Sequence, residues 1–410
     1  MVESRGKDPD LRAVLLQPDM IRIFLASLFI LGQVLVSFSL VPLYILERGG
    51  DTATVGLHTT IFAVASVVLR FFFGPLADTR GRRFALALGA FAFATANLAI
   101  LYAPNLTIMA LVRVYQAIGM AAYLSSASSL VADLAPQKLR GSAIGAYRVI
   151  MPAASLFGPF LGNELINRYG FTTFFLTMAA ASGLSFLLVL SLRSGRRDPG
   201  AAVLRISPID ILRLFRIPQL RAAYAAILGI SIGGGIVTTY VAAYGAAWFA
   251  NPAVYFVAYA LAGAAAAVFL GRLSDSLGRS RMILPIFCCM SVGLALLYGV
   301  SGAPWPIFLI SALLTGTGFN AGLSVFIAWI VDSVNRELRA TALSLQESWI
   351  DGGFALGIFF FGLFSVRYGM ALVFLGTGAI LLVATILVLT LGRKKTSEES
   401  HRTANQGGAP

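Results

Sequence analysis

From about residue 20 almost to its end, the chain alternates long apolar runs with short polar breaks. The breaks delimit twelve spans, at residues 21–46, 54–77, 84–102, 107–132, 140–163, 171–192, 221–247, 252–272, 282–301, 306–332, 340–364 and 369–391. A hydrocarbon core about 30 Å thick is crossed by about 20 helical residues, which suits runs of this length. They are continuous, not short segments of alternating polarity, and this excludes a membrane β-barrel. The pattern predicts an all-α integral membrane protein with twelve transmembrane helices.

The pattern is also duplicated. Gly74 to Arg83, GPLADTRGRR, returns 197 positions later as Gly271 to Ser280, GRLSDSLGRS, each time just after an apolar run. Asp133 to Gly170 aligns with Asp332 to Gly369 at a constant offset of 199, matching Leu139-Arg140 to Leu338-Arg339, Gly158 to Gly357, and Arg168-Tyr169-Gly170 to Arg367-Tyr368-Gly369. Charged positions that recur in register at separate loops mark two parallel six-helix repeats. The chain divides into an N-terminal segment 1–20, a bundle 21–192, a linker 193–220, a bundle 221–391 and a tail 392–410. The Arg-rich linker carries a short amphipathic pattern from Ile206 to Phe215, suited to lying on headgroups. The polar tail has the composition of a disordered segment.

Composition agrees: 58% of residues are apolar and 12% charged, against roughly 45–50% and about 25% in soluble domains. The net charge of +13 is unevenly placed. Of the 31 Lys and Arg, three lie in odd-numbered loops (Arg48, Arg168, Arg367), three lie deep within spans (Arg70, Arg113, Arg148), and 25 lie in the termini and even-numbered loops or at the helix ends beside them. This bias is the positive-inside signature. It places both termini and the duplicated loops in the cytoplasm, with basic tails against anionic headgroups and no nucleic-acid partner; the cell (inner) membrane is the expected location. Met1 to Met20 is polar, so no cleavable signal is expected and the first helix serves as the insertion signal. Cys288 and Cys289 are adjacent inside a span and suit neither a disulfide nor a metal site. No metal cluster and no nucleotide-cradling Walker loop is present, which argues against an enzyme or an ATP-driven pump.

The duplicated Gly-x-Leu-x-Asp-x-x-Gly-Arg loop, Arg113-x-x-Gln116 followed by Gly119, and Gly158-Pro159-x-x-Gly162 together resemble the major facilitator superfamily over residues 20–392. The first loop departs from the family pattern at Thr79, where Arg is common, and Asn163 replaces the last Gly of the fifth-helix motif typical of exporters. The resemblance implies two pseudo-symmetric bundles that transport a small-molecule substrate by alternating access. The proton is the expected coupling ion, no cofactor is expected, and the chain is expected to act as a monomer.

The duplicated loops supply a candidate conformational latch: Gly74, Asp78, Gly81, Arg82 and Arg83, with Gly271, Asp275, Gly278 and Arg279 as its twin. A carboxylate there suits the exposed N–H groups and positive dipole of a helix N-terminus. By resemblance that helix is the eleventh, starting near Arg339; pairing with Arg82 or Arg83 is the alternative. By resemblance the second and eleventh helices pack across the interface between the halves, so Arg70, one turn before Gly74, is expected to bridge to Glu347; the alternative is that each snorkels to the inner headgroups. Asp351 lies four residues beyond Glu347 on the same face, at a depth where ionisable groups are rare and functional. It is the first candidate for proton or substrate-cation binding. Arg113, whose repeat-mate is Ala312, and Arg148, whose repeat-mate is Glu347, complete the charged candidates.

By resemblance, helices 1, 4, 7 and 10 line the cavity. They offer Gln33, Ser37, Gln116, Tyr123, Thr238, Tyr240, Tyr244 and Asn320. Gly233-Gly234-Gly235 suggests a gating bend in the seventh helix, and His58 reads as an interfacial side chain. The leading reading is proton-coupled efflux of a drug-like or metabolite substrate. A sugar or metabolite transporter working by symport or as a facilitator stays open, as does a solute receptor that does not transport.

Overall fold

The computed structural model describes residues 11–193, 213–302, 305–335 and 338–386, without the side chains of residues 74, 75, 78, 125, 301, 302, 340 and 344. Most of the expected linker helix over 206–215, the first ten residues and the tail lie outside the described residues. The described part is helical and contains no strand.

After a short turn, Leu11–Leu15, the N-terminal half comprises α1 (Pro18–Ser39), α2 (Val41–Glu47), α3 (Thr52–Arg80), α4 (Arg82–Leu101), α5 (Leu106–Leu134), α6 (Arg140–Arg148) and α7 (Ile150–Leu190). The C-terminal half comprises α8 (Pro218–Gly245), α9 (Val254–Leu277), α10 (Ile283–Leu296), α11 (Trp305–Gly316), α12 (Gly322–Asp332), α13 (Arg339–Tyr368) and α14 (Met370–Ile386). Among the described residues ten segments are long and apolar enough to cross a membrane. One of them, Gln137–Leu190, is broken at Gly170 (φ 76°, ψ 175°), which separates the expected spans 140–163 and 171–192. The last expected span coincides with the shorter helix α14. Phe71, Phe72, Phe269 and Ile380 point outward, each more than 60% exposed, as side chains meeting lipid do.

Local chemistry sets the helix ends. Pro18 stands in the first turn of α1, where its missing N–H costs nothing. The Asp51 carboxylate caps α3, accepting from the Thr54 amide at 2.8 Å and its hydroxyl at 2.7 Å. Asn105 caps α5 by accepting from the Ile108 amide at 2.9 Å. The duplication reappears as backbone geometry: Gly81 and Gly278 have φ of 95° and 96°, and Gly170 and Gly369 have 76° and 77°. Only glycine enters that region without strain, so each pair makes the same reversal in both halves.

Within the N-terminal half, α1 packs on α7, α4 on α5 and α7, and α3 on α5; within the C-terminal half, α8 packs on α13 and α9 on α11. The halves meet along α3 and α13, α7 and α9, and α1 and α8. The face carrying Arg80, Arg82, Arg83, Arg279 and Arg281 is called here the basic face, and its opposite the far face.

Glycine does a different job in α8 from the one expected. The helix runs unbroken from Pro218 to Gly245, and Gly233, Gly234 and Gly235 are packing notches rather than a bend. A methyl group on them would come within 2.7 Å of Met290 Sδ, 2.6 Å of the Phe319 ring and 2.8 Å of Phe354 Cα, respectively. Gly353 and Gly357 of α13 complete the same seam against Ser231, Leu228 and Ile232 of α8. Close helix approach through small residues is how membrane helices associate without a hydrophobic driving force between them.

Candidate functional site

Arg70 of α3 and Asp351 of α13 join the two halves: Arg70 Nη1 donates to Asp351 Oδ2 at 2.5 Å. Their side chains are only 25% and 16% exposed, so the pair sits in a partly dehydrated seam, where an unpaired charge would cost several kcal/mol. This corrects the expected Arg70–Glu347 bridge by one helical turn. Glu347 is exposed and accepts from Gln346 Nε2 at 3.3 Å. Arg70 and Arg148 both act on it electrostatically from the other half. Glu347 is thus a carboxylate of one half within electrostatic reach of cations of the other. Arg148 is exposed, and Gly141, Gly145 and Gly352 have open space where a side chain would be.

The far-face side is shut. Tyr240 of α8 enters a notch between Gly56 of α3 and Gly362 of α13 and donates to the Ile358 carbonyl at 2.9 Å and the Thr52 carbonyl at 3.4 Å. Thr52 Oγ1 donates to the Gly362 carbonyl and Thr60 Oγ1 to the Ala355 carbonyl. A second seam joins α7 to the loop before α9: Asn163 Nδ2 donates to Asn251 Oδ1 at 3.1 Å, Asn251 Nδ2 to Glu164 Oε2 at 3.2 Å, and Asn167 Nδ2 to the Ala250 carbonyl at 2.6 Å. Asn163, the departure from the fifth-helix motif, is 2% exposed and ties the halves together. Gly158 and Gly162 of that motif set α7 against Gly32 and Val36 of α1 and against Leu40 just past its end, with Pro159 buried beside them.

Arg113 is completely buried, and all its hydrogen-bonding partners are neutral. Its Nη1 donates to Ser37 Oγ at 2.5 Å and Gln116 Oε1 at 2.6 Å, its Nη2 to the Ser37 carbonyl at 3.3 Å, and the guanidinium lies 4.4 Å from the Phe62 ring centre. Its Nε has no partner among the described residues. His58 is also buried, at 2% exposure, with Nδ1 unpartnered and within electrostatic reach of Arg113. The interfacial placement expected for His58 is therefore corrected.

The remaining candidates fall into separate groups. Gln33 donates to the Met178 carbonyl at 2.9 Å and accepts from Asn97 at 2.7 Å. Tyr123 and Tyr147 both share the Ser27 hydroxyl. Thr238 bonds back to the Gly234 carbonyl, and Tyr244 donates to the Leu297 carbonyl. Asn320 sits in the π-turn Thr317–Ala321, facing Gly263. At the basic face Arg82 pairs with Asp133 at 3.0 Å, and Arg83 donates to the Leu190 carbonyl. Arg279 pairs with Asp275 at 2.6 Å and Asp332 at 3.1 Å, and Gly271 has open space beside it. The side chains of Gly74 and Asp78 lie outside the described residues.

Sequence reasoning missed Asn97, Phe62, Asn251 and Glu164. Asn251 was legible only as part of a loop, and Phe62 only as one apolar residue among many.

The family model described as Major Facilitator Superfamily matches residues 23–256 and 253–410. Multidrug resistance protein MdtG of Enterobacter lignolyticus (strain SCF1) is 26% identical over 363 residues, covering 84% of this chain and 86% of that protein. MdtG of Klebsiella pneumoniae (strain 342) is 26% identical over 382 residues, covering 89% and 92%. Among solved structures, a mutant of the nucleoside transporter NupG superposes with a TM-score of 0.75 at 14% identity, covering 90% of this chain and 99% of that one. The peptide transporter POT in complex with sulfate superposes with 0.73 at 13% identity, covering 92% and 94%. At these identities the likeness concerns the fold.

Proposed function

Because the chain belongs to the major facilitator superfamily, we propose that it is a proton-coupled exporter of drug-like organic solutes, with twelve helices, both termini in the cytoplasm and a site in the bacterial inner membrane. The observation that carries this reading is the Arg70–Asp351 pair with Glu347 exposed one turn nearer the basic face. The similarity to proteins named for multidrug resistance supports the choice of substrate.

With the basic face in the cytoplasm, the arrangement is open inward and sealed outward. A solute enters the gap beside Glu347 and Arg148. Rocking the halves closes the basic face and draws α3 towards the start of α13. Glu347 lies four residues, about 6 Å along the helix, from Asp351 on that side. Arg70 then exchanges Asp351 for Glu347, and the freed Asp351 takes a proton from outside. On return the proton leaves as Arg70 re-pairs with Asp351. A gradient of one pH unit supplies about 1.36 kcal/mol per proton, enough for roughly tenfold accumulation.

The latch enters the same cycle. In this state Arg279 occupies Asp275, so the second loop is held within its own half, and closure of the basic face hands its carboxylate to the other half. Arg113, buried with neutral partners, holds α1 to α5 and keeps a positive potential above the cavity.

The test is uptake into everted membrane vesicles energised with a pH gradient. Lipophilic cations should accumulate and sugars should not. Accumulation of sugars alone, or uptake that ignores the gradient, contradicts the proposal.

A further inference from the structure

The far face carries a cavity built by the N-terminal half alone. The end of α2, the end of α4 and the stretch of α7 just past Gly170 border this open cavity of about 420 Å³, lined by Tyr44, Glu47, Arg48, Tyr102, Phe171 and Thr172. Pockets of roughly 300–1,000 Å³ are the size that holds small ligands or their headgroups.

Its charges are unusual. Glu47 and Arg48 are adjacent in sequence and both line the cavity, yet they do not pair. Arg48 is held elsewhere: Nη1 donates to the Tyr44 hydroxyl at 2.9 Å, Nη2 to the Ala103 carbonyl at 2.9 Å and to the Pro104 carbonyl at 3.4 Å. Tyr44 is itself fixed, donating to the Leu101 carbonyl at 3.2 Å. These bonds leave further guanidinium N–H groups free. Glu47 is exposed and makes no hydrogen bond or ion pair with any described residue. The Tyr44 and Phe171 rings, 5.0 Å apart, form an aromatic wall.

A fixed cation and an unpaired carboxylate on one cavity select against ligands of a single charge. An organic cation meets Arg48, and an anion meets Glu47. A ligand carrying both signs satisfies both, its anionic group on Arg48 and its ammonium on Glu47, against an aromatic surface that favours the cation. The cavity lies where spans end and loops begin, the depth of membrane headgroups, and the exposed Tyr102 that lines it is typical of the interfacial aromatic belt. We propose that this cavity binds a zwitterionic aminophosphate group, phosphoethanolamine in chemistry, delivered as a phospholipid headgroup or as a free solute.

The test is native mass spectrometry of the full-length protein released from micelles holding equal amounts of phosphatidylethanolamine and phosphatidylglycerol. Wild type should retain the zwitterionic lipid about tenfold better, the factor expected of one charge-assisted hydrogen bond. Glu47→Gln should bring the two lipids to parity, and Thr172→Trp, which obstructs the cavity and leaves Glu47 in place, should do the same. Both variants should keep the thermal midpoint of wild type in lipid-free detergent. Displacement by added phosphoethanolamine would make a free solute the source, and loss of selectivity without such displacement would make it the lipid. Wild-type selectivity in Glu47→Gln and Thr172→Trp overturns the proposal.

Discussion

Arg70 and Asp351 meet at 2.5 Å across the boundary between two bundles that are otherwise tied together towards the opposite face. Of the hydrogen bonds described between the halves, it lies nearest to the basic face. If the halves rock as proposed, a pair at this position would be the one whose partner changes with the motion.

If Arg70 serves both carboxylates in turn, a double-mutant cycle reads each state separately. Arg70→Gln and Asp351→Asn should be coupled by about 1–2 kcal/mol in thermal stability of the resting protein, as for a partly buried ion pair. Arg70→Gln and Glu347→Gln should be nearly additive there. Equal coupling in both cycles would mean that Arg70 does not discriminate between the two acids.

The far-face seam gives a second prediction. Asn163→Gly restores the usual residue of the fifth-helix motif and removes the bond to Asn251. A net hydrogen bond contributes about 1 kcal/mol, so the population open at the far face should rise about fivefold. Spin-label distances across the far face, between sites on α7 and α9, would report it. An unchanged distance distribution would show that Asn163 is not part of the seal.

Tyr240 and Gly362 provide a steric version of the same test. A methyl group at Gly362 would come within 2.5 Å of the Tyr240 hydroxyl, so Gly362→Val should wedge α3, α8 and α13 apart. Pairing it with Tyr240→Phe, which removes the hydroxyl, should relieve part of the effect. If Gly362→Val alone leaves far-face accessibility to thiol reagents unchanged, the notch is not a seal.

Asp51 supplies a pH dependence outside the spans. The Thr54 hydroxyl and amide hold its carboxyl below its ordinary value of 3.8. The depressed value means that the cap stabilises the fold fully above that ordinary value and loses its contribution as pH falls through the lower folded value. The carboxyl is well exposed, so the effect is small. Asp51→Ala should cost about 1 kcal/mol at neutral pH and less in strong acid, where protonated Asp51 keeps only a neutral acceptor, whereas the cost of Asp51→Asn should be small throughout. A constant difference between Asp51→Ala and wild type down to the most acid pH would rule this out.

Much of the fold was legible because membrane insertion writes itself into sequence. Lipid requires continuous apolar helices, and duplication then repeats the breaks, down to the matched φ at Gly81 and Gly278 and at Gly170 and Gly369. Arg82–Asp133 and Arg279–Asp332 show the same rule in side chains, since aligned partners make aligned bonds.

The candidate site was legible in kind but not in register. Composition identifies Arg70, Glu347 and Asp351 as costly residues, but two acids one helical turn apart on the same face look alike to Arg70 until the register of α3 against α13 is known. The glycines of α8 were misread because a notch and a hinge look alike until the facing Phe319 and Phe354 are known. The role of Asn163 depends on Asn251, 88 positions away in a loop with no pattern of its own.

The most direct test of the account is solute-driven proton movement in proteoliposomes with an imposed pH gradient, comparing wild type with Asp351→Asn. The account predicts that a lipophilic cation discharges the gradient in wild type and does so at least about tenfold more slowly in the variant, a barrier change of about 1.4 kcal/mol, while solute counterflow without a gradient persists in both. Full proton-coupled transport by Asp351→Asn would contradict it.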